Sequence, residues 1–239
     1  MIVSHQHRYI FVQFPRTGCT AIASELVEHY GGQRILRKHS NYEHFLKQAT
    51  PDERGYFAFS SVRNPLDRTV SLYLKLLRDH KTFYSRLAKR SSIRIADRVL
   101  LRQYAFVNER SANFGEYFLK FYKLPYDDWT CLSHHKLDYV VRYEQIADDF
   151  RTVLQRLGVE PKRPLPLVNQ TTSERKPFSD YYSTPELKRR AMRVFGPYMQ
   201  KWGYEFPRDW GAQSAPKTAT RILAVSLNAL RKPVWKYSS

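Results

Sequence analysis

The sequence predicts an α/β fold with a central parallel sheet flanked by helices. Two observations carry that prediction. Short apolar runs alternate with amphipathic helical stretches, the pattern of parallel strands joined through helices. The 239 residues are 42% hydrophobic and 15% aromatic, enough to bury a core in one domain with a short appendage.

The elements follow in order. Tyr9–Phe14 is an apolar run bounded by Pro15 and reads as a buried strand. Thr20–Tyr30 carries Ile22, Leu26 and Val27 at helical spacing and stops at Gly31-Gly32. Phe57–Val62 is a second strand. Asn64-Pro65 then opens a helix from Leu66 to about Leu77, because proline suits the first helical position. Leu137–Tyr143 reads as a third strand, and Ile146–Leu157 as a helix stopped by Gly158. Thr184–Trp202 is a long helix with Thr184 as N-cap, Pro185 at its first position and Glu186 in its first turn. No internal repeat is present. Residues 1–210 form the domain and 211–239 a tail with five basic residues and no acidic one. Ile222, Leu223, Leu227 and Leu230 fall on one face of that tail, an amphipathic helix suited to packing on the domain, on a partner or against a membrane.

Forty basic against 22 acidic residues give a net charge of +18, which points to an anionic partner. Residues 78–110 concentrate nine basic and three acidic residues, as a solvated helical face or a groove for an anionic acceptor. The two cysteines, Cys19 and Cys131, are too few for a disulfide framework and are expected as reduced thiols. The first residues show no secretory leader, and no apolar run is long enough to cross a membrane. A cytoplasmic protein is expected, with peripheral membrane contact left open.

The most informative stretch is Phe14-Pro15-Arg16-Thr17-Gly18-Cys19-Thr20-Ala21, between the first strand and first helix. A helix N-terminus offers unpaired amides and a positive dipole end to a phosphate or sulfate. Gly18 lets backbone approach an anion closely, Thr17 and Thr20 add hydroxyls, and Arg16 adds fixed charge. The stretch lacks the G-x-x-x-x-G-K-[ST] spacing of nucleotide triphosphatases. A second anion site is expected where Arg63 closes the second strand and Ser71 lies on the following helix. Asp67 and Arg68 read most simply as structural salt-bridge or capping residues.

With these motifs the chain resembles the sulfotransferases that use 3′-phosphoadenosine 5′-phosphosulfate (PAPS). Pro15-Arg16-Thr17-Gly18-Cys19-Thr20 looks like their 5′-phosphosulfate loop. Arg63-Asn64-Pro65-Leu66-Asp67-Arg68-Thr69-Val70-Ser71-Leu72-Tyr73 looks like their 3′-phosphate motif. Val141-Arg142-Tyr143-Glu144-Gln145-Ile146 is similar to a later strand ending in an aromatic–Glu pair. Leu167-Val168-Asn169-Gln170-Thr171 and Trp202-Gly203-Tyr204-Glu205-Phe206 resemble segments of the carbohydrate branch. The likeness covers about residues 8–207.

The resemblance implies a P-loop-kinase-like three-layer sandwich and a PAPS-dependent enzyme that releases 3′-phosphoadenosine 5′-phosphate (PAP). It assigns Arg16, Thr17, Gly18, Cys19, Thr20 and Ala21 to the phosphosulfate, and Arg63 and Ser71 to the 3′-phosphate. Many relatives carry lysine at the position of Arg16. Arginine holds its proton too firmly to pass it on, so Arg16 is cast as an electrostatic clamp. His39, in Arg37-Lys38-His39-Ser40, matches the base-bearing segment of polysaccharide sulfotransferases, with Glu25 as the alternative base and a solvated helix face as the plainer reading of Glu25. The implied acceptor is a carbohydrate or glycolipid hydroxyl, with no metal and no nucleic acid required. A P-loop-like small-molecule kinase and a non-enzymatic polyanion-binding module are the competing readings.

Overall fold

The structure is a computed structural model that describes residues 1–91, 95–128, 130–166, 176–211 and 218–238. Arg94, residues 167–171 and the Cys131 side chain lie outside what it describes. Five strands form one sheet: β1 Ile2–Ser4, β2 Tyr9–Val12, β3 Gln33–Arg34, β4 Phe57–Val62 and β5 Tyr139–Arg142, in the order β3-β1-β2-β4-β5. β2, β4 and β5 are parallel, with Tyr9 opposite Phe57 and Phe59 opposite Tyr139. β1 and β3 are antiparallel.

The α/β class therefore holds, but the sheet is mixed rather than all parallel. The extra pairing arises because β1 and β2 are close enough in sequence for a hairpin, with Ile2 opposite Phe11 and Ser4 opposite Tyr9. His5 and His7 lie in that hairpin's turn. Three residues carry too little alternation to be read as a strand.

The helices are α1 Cys19–His29, α2 Tyr42–Leu46, α3 Pro65–Leu77, α4 Phe83–Ala88, α5 Ile95–Glu109, α6 Phe114–Phe121, α7 Thr130–Ser133, α8 Ile146–Arg156, α9 Phe178–Tyr181, α10 Pro185–Trp202 and α11 Thr218–Ser238. The basic segment at 78–110 thus comprises α4 and α5. Capping follows the sequence signals closely. Asn64 accepts from Leu66 N at 2.9 Å with Pro65 opening α3. Thr184 accepts from Leu187 N at 3.2 Å, and Gly203, at φ 63°, closes α10.

β2 and β4 are buried on both faces, which is why they read as continuous apolar runs. Tyr9, Phe11 and Phe59 face one way, against Ile22 and Leu26 of α1 and Phe150, Val153 and Leu154 of α8. Ile10, Val12 and Ala58 face the other way, against Tyr42 and Phe45 of α2. A second body, helical and aromatic, joins α3, α5, α6 and α10 through Leu66, Val70, Tyr117, Phe118 and Phe195. The sheet's C-terminal strand ends and the N-termini of α1 and α3 share one edge, the usual ligand edge of an open α/β sheet.

Candidate active site

The turn from β2 into α1 is strained and held from below. Arg16 adopts φ 66° and Gly18 φ 75°, left-handed backbone that is uncommon for a side-chain-bearing residue. A side chain at Gly18 would also collide with Ile146, with Tyr143 close behind. Glycine is therefore required by packing under the turn as well as by its backbone angle. No side chain caps α1. Its intrahelical bonding begins with Ala21 N to Gly18 O at 3.0 Å, which leaves the amides of Cys19 and Thr20 ahead of the ladder.

The two threonines differ. Thr17 Oγ1 donates its one proton to Phe14 O at 2.8 Å and lies 2.6 Å from Ser61 Oγ on β4. The expectation that the Thr17 hydroxyl serves the anion is corrected: it braces the loop to the sheet. The Ala21 amide bonds Gly18 O. Thr20 Oγ1 accepts from Lys38 Nζ at 3.1 Å and hydrogen-bonds the Cys19 thiol beside it, with no bond down into the sheet. Burial holds the Cys19 thiol above its ordinary pKa, so it stays neutral beside the loop.

Arg63 stands where β4 hands over to α3. Its Nε lies 2.7 Å and its Nη2 2.6 Å from Asp67 Oδ2, and its Nη1 donates to Arg16 O at 3.3 Å. The guanidinium sits 4.0 Å above the centre of the Tyr143 ring. Asp67 is thus the salt-bridge residue expected, and its partner is the motif's own arginine. Ser71 lies one turn beyond Asp67 on α3 and is fully buried, at 0% exposure. Arg68 turns away from the site to Asp128 and Tyr126, and Tyr198 donates to Asp128 Oδ2 at 3.3 Å.

His39 Nδ1 is 3.0 Å from Gln13 O. A carbonyl only accepts, so Nδ1 carries the proton and Nε2 the lone pair. The imidazole pKa lies below its ordinary value, first because the ring is buried and then because of Lys38, the Met1 amine and Arg16. The neighbouring cations contribute, but desolvation leads. Residues 37 and 38 are fixed in turn by the Met1 amine, which donates to Arg37 O at 3.3 Å and to Gln13 Oε1 at 3.1 Å.

Glu25 does not join this group. It is 1% exposed, so the solvated-face reading is corrected, and Arg163 grips it through Nε at 3.1 Å and Nη2 at 2.9 Å. The structure places the alternative base in a buried ion pair with Arg163. Glu25, Glu28 and His29 bring their ligand atoms within 4.8 Å of one another, a grouping the sequence did not reveal. The Arg163 guanidinium already occupies both carboxylates.

Two further groups escaped the sequence reading. Lys38 was read only as a neighbour of His39, yet it reaches the first turn of α1. Lys75 lies one turn beyond Ser71 on the Asp67–Ser71 face of α3, a spacing of four that could have flagged it. Its pKa is lowered to about 8, chiefly by burial and then by Arg16 and Arg63, so three cations lie close together between loop and motif.

The later motifs fasten the site together. Glu144 accepts from Asn64 N at 2.7 Å and from Tyr204 Oη at 2.9 Å. Arg142 donates to Trp202 O at 2.7 Å and Gly203 O at 3.3 Å. His134 packs edge-on against Phe14 and Trp202 and donates from Nε2 to Ser61 O at 3.2 Å. Burial lowers its pKa to about 4, and its place is structural.

The arrangement can take a doubly anionic ligand, one end on the amides and cations of the loop and the other on Arg63. A neutral imidazole is held nearby. Comparison with curated proteins and with solved structures returned no match. The profile of the Sulfotransferase family matches residues 1–205, spanning every strand and both candidate anion sites. On that match and this geometry, the chain belongs to the sulfotransferase family and is a PAPS-dependent sulfotransferase.

Proposed function

We propose that the enzyme transfers the sulfuryl group of PAPS to a hydroxyl of a carbohydrate or glycolipid, with His39 as general base. The observation that carries this reading is the His39–Gln13 hydrogen bond, which leaves Nε2 unprotonated in a pocket of cations. Nε2 takes the acceptor's hydroxyl proton as the acceptor oxygen bonds to sulfur. The bond from sulfur to the bridging oxygen breaks in line, and PAP leaves with that electron pair. Arg16 and Lys38 lie where charge develops on the bridging oxygen, and the amides of Cys19 and Thr20 hold the 5′-phosphate. Arg63 and Lys75 hold the 3′-phosphate, with Tyr143 keeping the guanidinium flat. No step is assigned to a metal.

The acceptor class is supported by α5. Arg98 and Arg102, one turn apart, are exposed and form no ion pair among the described residues. An anionic sugar polymer or a charged glycolipid headgroup suits such a face. The test is labelled PAPS with a panel of glycans, glycolipids, phenols and peptides. Transfer to glycans that is lost in His39→Ala supports the reading. Transfer confined to phenols or peptides overturns the acceptor class. Tighter binding of ATP than of PAP would turn the assignment toward a kinase.

A further inference from the structure

The C-terminal helix α11 has two faces, and only one is used by the domain. Ala224 is buried. One turn on, Asn228 Nδ2 donates to Asp127 Oδ2 at 2.6 Å, and Arg231 Nη1 donates to Pro125 O at 2.7 Å. This inward stripe is narrow and largely polar. The most exposed apolar side chains are on the other side. Ile222 is 62% exposed, Val225 71% and Leu230 73%. Residues 222, 225, 226, 229, 230 and 233 recur at the three- and four-residue steps of one helix face, and Ser226 is the one polar side chain among them. The tail sequence predicted Leu227 on the apolar face, but Leu227 is half-buried toward the domain and Val225 takes its place outside.

Charge decides what covers this stripe. Residues 211–239 contain five basic residues and no acidic one, and Arg221 and Lys232 flank the stripe, both exposed. A second copy of the chain is a poor occupant, because each copy carries +18. The stripe is also too small. At ~1.5 Å per residue the twelve residues from 222 to 233 are about 18 Å long and ~10 Å wide, roughly 180 Å², against about 800 Å² per partner in a stable complex. Among the described residues no helix is long and apolar enough to cross a membrane. An apolar stripe with a basic border, on a helix fixed from behind, fits the surface of a bilayer rich in acidic lipids, where such a stripe lies in the headgroup boundary.

We propose that α11 docks this enzyme on an anionic lipid bilayer through Ile222, Val225, Ala229 and Leu230, with Arg221 and Lys232 engaging the headgroups. The proposal is independent of the acceptor and of the sulfuryl-transfer reading. The helix is attached through Asp127 and Pro125, so the whole domain is carried to the surface rather than a loose tail.

The test is flotation of the full chain with vesicles of phosphatidylglycerol and phosphatidylcholine, against phosphatidylcholine alone. Binding to the acidic vesicles is expected to exceed that to the neutral ones by tenfold or more. The triple variant Ile222→Ser, Val225→Ser, Leu230→Ser should lose that binding at least tenfold while keeping its melting temperature, since all three side chains are exposed. Arg221→Ser with Lys232→Ser should weaken binding severalfold and flatten its salt dependence. Undiminished binding of the triple variant would place the contact elsewhere on the basic surface and overturn the proposal. So would the absence of binding, or a dimer by light scattering that the triple variant abolishes.

Discussion

The two halves of the proposed donor site treat charge in opposite ways. In the 3′-phosphate motif both arginines are met by carboxylates, Arg63 by Asp67 and Arg68 by Asp128. In the loop at the head of α1, Arg16 has no ion pair among the described residues, and Lys38 meets only the neutral hydroxyl of Thr20. Paired ions are already oriented and give fixed geometry. Unpaired ions keep their field for the ligand. One half is built to hold and the other to respond to charge that moves during the reaction.

The contrast is broken most severely at His39, which belongs to the responsive half. His39→Ala should lower kcat roughly 10²–10⁴-fold with PAP affinity unchanged. A base must be neutral to act, and the His39 pKa is lowered, so the acidic limb of kcat/KM should fall below the ordinary histidine value of 6.5. That limb should vanish in the variant. Near-normal kcat with an intact limb would remove His39 from the chemistry.

Arg63→Ala tests the holding half. Losing a charge-assisted partner costs about 1.5–3 kcal/mol, so PAP should bind at least about tenfold more weakly, with 5′-AMP little affected. Equal losses for both ligands, measured calorimetrically, would contradict the assignment of Arg63 to the 3′-phosphate.

The threonines sharpen the comparison inside the loop. Thr17→Val removes a buried brace and leaves Ser61 short of a partner, about 1–3 kcal/mol. At ~2–4 °C per kcal/mol for a chain of this size, that is a fall in melting temperature of roughly 2–12 °C. Thr20→Val should leave melting untouched and weaken PAP binding severalfold. A reversed pattern would exchange their roles.

Lys75→Met gives a smaller, pH-coded effect. Lys75 is an ammonium below about pH 8 and neutral above it, so wild-type affinity for PAP should decline as pH rises past that value. The variant should bind severalfold more weakly at pH 7 and show no such decline. The least effect is expected from Arg98→Glu with Arg102→Glu, which should raise the KM of an anionic acceptor a few-fold, more at low salt, and leave PAP binding alone. A salt-independent KM would make that helix face plain solvated surface.

The parts legible in sequence were those whose cause is local. Asn64-Pro65, Thr184-Pro185 and Gly203 mark helix ends because capping is decided within four residues. The buried parallel strands announced themselves by apolar runs. What stayed hidden depends on distant partners. Arg163 lies 138 residues from Glu25. Nothing near Thr17 says that its hydroxyl turns inward to Ser61, and Lys75 lies outside the family motif it shares a helix face with. The mixed edge of the sheet was missed for another reason: β1 and β3, with three and two residues, are too short for any period to be read.

Glu144 carries a consequence for how the protein comes into being. One oxygen fixes the start of α3 and the other reaches Tyr204, so positions 64, 144 and 204 meet at a single carboxylate. During synthesis the loop, His39 and Arg63 emerge early, and the clamp that sets them is finished only when Tyr204 has left the ribosome. At ~5–20 residues per second, the sixty residues after Glu144 are a wait of about 3–12 seconds. Through that interval the nascent chain carries every donor-binding residue named above, still without the bond that locks them.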